Sequence, residues 1–272
     1  MKRFNVYLSN IFYFLLRQPL ALQGQRMLRF TRKYGLLLFT LLLLLLWIAE
    51  RYWFVRRPIL YPGFGIRIPA GYQVHGIDVS KYQKDIDWKL VSAMRDRGQR
   101  ISFAIVKATE GCRTDRRFCK NWDAVGDEPL MRGAYLYFHA GQDGKRQADY
   151  FIKHVPLATG DLPPVVDIEE QDGQSSENIR KNLKKCLSAL ESRYHKKPIL
   201  YSNPAFYNRH LGETFDKYPL WIAHYEQCRK PCIQRNWVIW QHNDKGHVNG
   251  IDADVDFNVV NGSLLVLSEL CL

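Results

Sequence analysis

The stretch Leu162-Pro-Pro-Val-Val-Asp-Ile-Glu-Glu170 decides how this chain is read. Its apolar part reads as a short buried strand, and Asp167 and Glu169 stand at i and i+2 near its end. Side chains two apart on a strand share a face, with backbones about 6.5 to 7 Å apart, so both acids point at one spot. Each carboxylate raises the pKa of the other. That cost is explained by chemistry needing one protonated and one ionised acid.

Outward from this pair, strand-like and helix-like segments alternate. Strands are expected at 74–79, 101–108, 132–139, 164–169, 198–202, 219–224, 237–241 and 254–259, with helices at 88–98, 145–154 and 176–194 and a short helix or turn at 121–125. Strands with helices between the earlier ones predict an α/β fold, an irregular TIM-like β/α barrel of about eight mostly parallel strands. The expected strands end on polar or aromatic residues: Asp78, Lys107, His139, Asp167 with Glu169, Tyr201 with Asn203, His224 with Tyr225, and Gln241. In such barrels these ends converge on one rim. Lys107 and Glu110 are spaced to form an ion pair within the second strand and its loop, without a catalytic role.

Charge is distributed unevenly over the 272 residues. Residues 1–33 carry Lys2, Arg3, Arg17, Arg26, Arg29, Arg32 and Lys33 and no acid, which is +7 of a formal net charge of +12. Residues 34–49 are then uncharged and almost wholly apolar. A spanning helix takes about 17 to 25 residues, and 52–55 can extend the run if Glu50 and Arg51 sit at the interface. The organisation expected is a basic cytoplasmic leader (1–33), a transmembrane anchor (34–55), a Pro- and Gly-bearing linker (56–73) and a catalytic barrel (74–272). A cleaved signal peptide is the competing reading; against it stand the long leader and the lack of a small-x-small cleavage site. The basic excess places the N-terminus in the cytoplasm and the barrel outside the cytoplasmic membrane, on its periplasmic or extracellular side. Ile11 to Leu16 is too brief to span. All six cysteines follow the anchor, and Cys112 with Cys119 and Cys228 with Cys232 are spaced for local disulfides in an exported domain. Zinc is the sharper alternative, but no CxxC or histidine pattern supports it.

The strings His75-Gly-Ile-Asp-Val-Ser-Lys-Tyr-Gln83, Phe103-Ala-Ile-Val-Lys-Ala-Thr-Glu-Gly111, Gly133-Ala-Tyr-Leu-Tyr-Phe-His139, Val165-Val-Asp-Ile-Glu169, Leu220-Trp-Ile-Ala223 and Trp240-Gln241 occur in order. Together they resemble glycoside hydrolase family 25, the Chalaropsis-type lysozymes, over about Gly76 to Ser263. The resemblance implies a distorted β/α barrel that cuts the β-1,4 bond between N-acetylmuramic acid and N-acetylglucosamine in peptidoglycan. It places the family's Asp-x-Glu pair on Asp167 and Glu169, its first-strand acid on Asp78 and its late acid on Asp256, with Asn258 beside it. Glu169 is then the general acid and Asp167 its anionic partner, in a retaining route assisted by the substrate's acetamido group. His242 departs from the family, which often has Tyr there, and the Cys112 to Cys119 loop has no family counterpart to carry over.

Tyr137, His139, Tyr201, Trp221, Tyr225, Trp240 and Gln241 are the expected substrate contacts. The aromatics among them can equally be core residues, and His139 a satisfied barrel-end histidine. Asp78 could simply cap the turn after the first strand. Asp252, Asp254 and Asp256 lack the glycine and distal glutamate of a calcium loop, so no metal or other cofactor is expected. The partners expected are peptidoglycan glycan strands and, through 34–55, a membrane. A wall-binding protein without turnover is the alternative, opposed by the complete set of acids. Nucleic-acid binding is disfavoured because the leader's charges serve as topology signals.

Overall fold

The computed structural model describes residues 20–55, 57–225, 227 and 229–272. The described residues divide into two units at Val55. In the first, helix α1 (Leu20–Val55) runs for 36 residues, about 54 Å at 1.5 Å per residue. Its Lys33–Glu50 portion is long and apolar enough to cross a membrane, by length and composition. The helix begins within the expected leader, so leader and anchor are not separate elements there. The Ile11 to Leu16 run lies outside the described residues.

The second unit begins with a feature that the linker expectation missed. Strands β1 (Ile59–Tyr61) and β2 (Ile66–Ile68) pair antiparallel, and Tyr61, Phe64, Ile66 and Ile68 are buried in the main core. Phe64 packs against Phe257 at a ring separation of 5.1 Å, and its carbonyl accepts the His247 amide at 2.9 Å. Of the prolines and glycines that suggested a linker, Pro62, Gly63 and Gly65 form the turn of this hairpin, and its apolar residues pack into the main core.

The remaining strands are β3 (His75–Val79), β4 (Arg95–Asp96), β5 (Gln99–Glu110), β6 (Arg113–Thr114), β7 (Met131–Tyr137), β8 (Val165–Asp167), β9 (Ile199–Ser202), β10 (Leu220–Ala223), β11 (Ile239–Val248) and β12 (Ile251–Val260). The order β3-β12-β11-β10-β9-β8-β7-β5, with β5 pairing back onto β3, closes a barrel of eight strands. Neighbours from β3 through β5 to β11 run parallel. The last strand, β12, runs antiparallel to both β11 and β3. The β11–β12 hairpin is longer than expected because it turns at Asn249-Gly250, where Gly250 has φ +91°; an Asn-Gly pair suits a tight hairpin. The expected 88–98 helix stops at Ala93, where Met94 is already extended, and a similar turn at Arg97-Gly98, with φ of 49° and 81°, pairs β4 with β5.

Alternation along the strands sorts the core into two parts. Phe103, Ile105, Val165, Ile199, Trp221 and Ile239 form a cluster distinct from the outer one. Their strand neighbours Ala104, Val106, Val166, Leu200, Ile222 and Trp240 belong to the layer beneath the helices. Gly76 belongs to the first set by parity: a Cβ there would lie 2.4 Å from the Phe103 ring, so glycine leaves space for that ring.

Outside lie α2 (Trp88–Ala93), α3 (Phe118–Gly126), α4 (Gly144–His154) and α5 (Ser176–Tyr194). Asp87, Asp143 and Ser175 cap α2, α4 and α5 by accepting backbone N–H groups of the first turn. Ile179, Leu183, Leu187 and Leu190 of α5 are buried at helical spacing. Cys112 and Cys119 are free thiols, so the expected local disulfide between them is not formed: Cys112 follows β5 whereas Cys119 lies exposed on α3. Cys228 lies outside the described residues, and Cys232 is free.

At the start of α4, an added Cβ on Gly144 would lie 1.9 Å from the Asn182 carbonyl oxygen of α5. A helix backbone gives way less readily than a side chain. Gly144→Ala is therefore expected to destabilise the fold by at least about 1–3 kcal/mol, read as a lower Tm of the detergent-solubilised full chain.

Candidate active site

The polar layer lies on the same inward parity, one step beyond the apolar cluster. Asp78 lies one residue before the end of β3, Asp167 and Tyr137 end β8 and β7, Lys107 and Tyr201 lie late on β5 and β9, and Gln241 lies early on the long β11; all six line a cleft of about 280 Å³. Glu169 lies beyond the end of β8, yet lines the same cleft. The intervening Ile168 is buried in the outer core, so the alternation that pairs the two acids continues past the strand. Asp256 comes from the middle of β12 and lies opposite Asp78 in the register. Antiparallel to both its neighbours, β12 supplies this acid from mid-strand.

Asp78 is the best-held acid. Gln241 Nε2 donates to its two carboxyl oxygens at 3.1 and 2.9 Å, and Asn258 Nδ2 donates at 2.7 Å. Gln241 Oε1 in turn accepts from the Tyr201 and Tyr225 hydroxyls, each at 2.8 Å, and Asn258 Oδ1 accepts from Trp221 Nε1 at 2.7 Å. Both amides are thereby oriented with their N–H groups toward Asp78. Ser80 caps the turn after β3, accepting the Tyr82 amide at 3.3 Å, which leaves Asp78 to the cluster.

Asp167 is held differently. It is buried, and its Oδ1 has no hydrogen-bond partner. Burial and the Glu169 charge push its pKa well up, against the opposing pull of Lys107. Burial, then Asp256, raises Asp78, partly offset by its amide donors. Burial and Glu170 raise Glu169, while Tyr201 and Lys107 pull the other way. Asp256 rises to about 7 through burial and the charges of Asp244 and Glu169. Four acids crowd one cleft, and burial is the leading cause of elevation for each.

Tyr137, Tyr201, Trp221, Tyr225 and Gln241 join the acids in lining the cleft. His139 and Trp240 do not. His139 lies between Glu110 and Asp172 carboxylates at 3.8 and 3.6 Å. Trp240 has the opposite parity to Gln241; it is fully buried, and its indole N–H donates to the His224 carbonyl at 2.8 Å. Its position in a Trp-Gln pair carried the expectation, but adjacent strand residues face opposite ways.

Six cleft residues were not among the expected site residues: Val79, Ser80, Tyr82, Gln83, Tyr135 and Lys107, the last placed on the rim but given no role. Tyr135 was recoverable, since it is two residues before Tyr137 on the same strand. Tyr82 is 70 % exposed, and its place in a short turn gave no periodic signal. Lys107 does pair with Glu110 at 2.7 Å as expected, but also reaches over the Tyr137 ring at 4.6 Å. Among the described residues, no group of three or more His, Cys, Asp or Glu could hold a metal ion. Asp252 and Asp254 are exposed.

With this geometry in place, comparison with known proteins is decisive. Residues 77–251 match the model of glycosyl hydrolases family 25. The chain belongs to that family. This glycosyl hydrolase family 25 protein is 45 % identical to YegX of Escherichia coli O6:H1 over 209 residues, 76 % of each chain. It is 32 % identical to lysozyme M1 of Streptomyces globisporus over 213 residues, covering 72 % of this chain and 71 % of that one. Among solved structures, a family 25 glycosyl hydrolase from Bacillus anthracis superposes with a TM-score of 0.67 at 31 % identity, covering 74 % of this chain and 94 % of the other. The chain is thus a glycoside hydrolase, and its closed barrel is the fold of that family.

The raised Asp256 pKa has a signed consequence for stability. Between an unfolded value near 3.8 and a folded value of about 7, the folded state holds the extra proton, so rising pH through this window costs stability. Asp256→Asn removes the cost. Its Tm advantage over the parent should be small at pH 4, grow toward pH 7 and level off above it, as measured by thermal unfolding across that range.

Proposed function

We propose that this glycoside hydrolase is a membrane-anchored muramidase, cutting the β-1,4 bond between N-acetylmuramic acid and N-acetylglucosamine in peptidoglycan. The observation that carries the reading is the contrast between two acids on one face. Asp167 is buried with an unpaired carboxylate oxygen, while Glu169 beside it is half-buried on the cleft. Family membership and the likeness to a lysozyme from Streptomyces globisporus support the same substrate class.

In the proposed reaction Glu169 donates its proton to the glycosidic oxygen as the C–O bond breaks. The acetamido carbonyl oxygen of the muramic acid residue attacks the anomeric carbon, giving an oxazolinium-like intermediate. Asp167 accepts a hydrogen bond from the acetamido N–H, which supplies the partner its buried oxygen lacks and orients the attacking carbonyl. Water then opens the intermediate from the opposite face and gives a proton to Glu169, so the β configuration is retained. Asp78, fixed by its amide donors, and Asp256 share the cleft's acidic charge, and whichever of the two is ionised adds negative potential where positive charge develops. Exposed Tyr82 and the rim tyrosines offer faces on which sugar rings can stack.

Glu169→Gln is expected to lower kcat/KM about 10²- to 10⁴-fold, measured as new reducing ends released from purified peptidoglycan by the detergent-solubilised full chain. Release by the variant at the parent rate would reject this acid; no release by the parent would reject the muramidase reading. Because Glu169 must enter protonated and its pKa is raised, parent activity should fall on the alkaline side of its optimum.

The Lys33–Glu50 portion of α1 and the six basic residues before it support a single span with a cytoplasmic N-terminus and the barrel outside. Protease added to the outer face of intact spheroplasts should digest the barrel. Protection there, with digestion only after lysis, would reverse the topology.

A further inference from the structure

The hairpin that follows β5 forms a second depression, of about 310 Å³, bordered by Lys81, Glu110, Arg113, Thr114, Asp115 and Arg116. Its two acids are already engaged. Glu110 Oε2 pairs with Lys107 at 2.7 Å. Asp115 is buried and accepts the Arg117 amide at 2.8 Å and the Lys81 amide at 3.2 Å. Exposed Asp85 takes up Arg117 and Lys120, at 2.8 and 2.6 Å. Lys81, Arg113 and Arg116 are left with no carboxylate within ion-pairing distance among the described residues. Three cations therefore border one concavity whose own acids are satisfied.

The walls are built before any ligand arrives. Strands β5 and β6 pair Thr109 with Thr114 and Glu110 with Arg113. The Asp115 amide donates to the Ala108 carbonyl at 2.8 Å, and the Thr114 hydroxyl meets the Tyr150 hydroxyl at 3.2 Å. The depression also adjoins the catalytic cleft through both walls. Lys81 stands between Ser80 and Tyr82, which line the cleft, and Glu110 is bonded to Lys107, which also lines it.

We infer that this depression is an anion subsite that takes the carboxylates of the peptide carried by a glycan strand lying in the cleft. The inference rests on the muramidase reading. Muramic acid bears its peptide on a lactyl ether at the side of the sugar ring, so a strand threaded through the cleft sends free carboxylates sideways. Guanidinium groups suit them, because their planar fork binds carboxylates in pairs of hydrogen bonds. The subsite makes the enzyme prefer peptide-bearing glycan to bare glycan, and the preference weakens with salt because the arginines are exposed.

The test measures kcat/KM of the full chain on peptidoglycan and on the same glycan stripped of peptides by an amidase, together with binding of the free stem peptide. In the Arg113→Gln/Arg116→Gln variant the ratio of the two kcat/KM values should fall about tenfold, as expected for the loss of two exposed charge pairs, mostly through KM. Peptide binding should weaken in parallel. The Arg113→Lys/Arg116→Lys variant, which keeps the charge but loses the fork, should recover part of the ratio, which a folding defect would not allow. An unchanged ratio, or equal losses on both substrates, overturns the subsite. If the parent cleaves neither glycan, the muramidase reading fails separately, and the subsite is then judged by peptide binding alone: binding lost in the Gln variant supports it, and binding equal in both rejects it.

Discussion

Closure of the barrel and assembly of its polar layer rest on one carboxylate. Asp78 receives its donors from residues 163 and 180 positions later in the chain, on the two strands that complete the ring. Through Gln241 and Asn258 the same group reaches Tyr201 of β9, Trp221 of β10 and Tyr225 just beyond it. Such a network is stable only when complete, because a buried amide that loses its partner keeps the full desolvation cost. Complete, it fixes the register of β3 against β12 and with it the facing of Asp78 and Asp256. The interaction that joins the ends of the sheet is therefore the one that sets the spacing of the acids.

The order of interior layers explains how a barrel core becomes a reactive surface. On inward parity, Phe103, Val165 and Ile199 give way to Lys107, Asp167 and Tyr201 two or four residues later. Apolar side chains plug the barrel beneath the cleft, and the polar groups stand on that low-dielectric floor. Burial is what raises the pKa of these acids. The fold thus gives up some stability at neutral pH to keep these carboxyl groups together in one cleft, as expected where function and stability compete.

Most of the barrel was legible because each strand carries its own period. Asp167 with Glu169, Asp78 and Gln241 stood at strand ends, and their parity pointed them inward. The failures have equally local causes. Trp240 was assigned with Gln241 although adjacent residues of a strand face opposite ways. The expected 88–98 helix stops at Ala93 because Met94 is extended and 95–96 pair as a strand, and the 237–241 strand continues because Asn249-Gly250 makes a hairpin. Glu110 and Asp172 flank His139, a pairing across separate loops that no local pattern encodes. The 56–73 hairpin was hidden by its composition: prolines and glycines mark turns as well as linkers, and long-range packing such as Phe64 against Phe257 is what distinguishes the two.

That hairpin and the closing strand share a further property. The family match begins at residue 77, inside β3, and ends at residue 251, where β12 starts. Phe64 on one side, and Asp256 with Asn258 on the other, fall beyond it. The span by which this protein is recognised is therefore shorter than the span by which it folds and reacts. A chain trimmed to its recognisable part would retain the Asp-x-Glu pair, yet would lose the strand that closes the sheet around it.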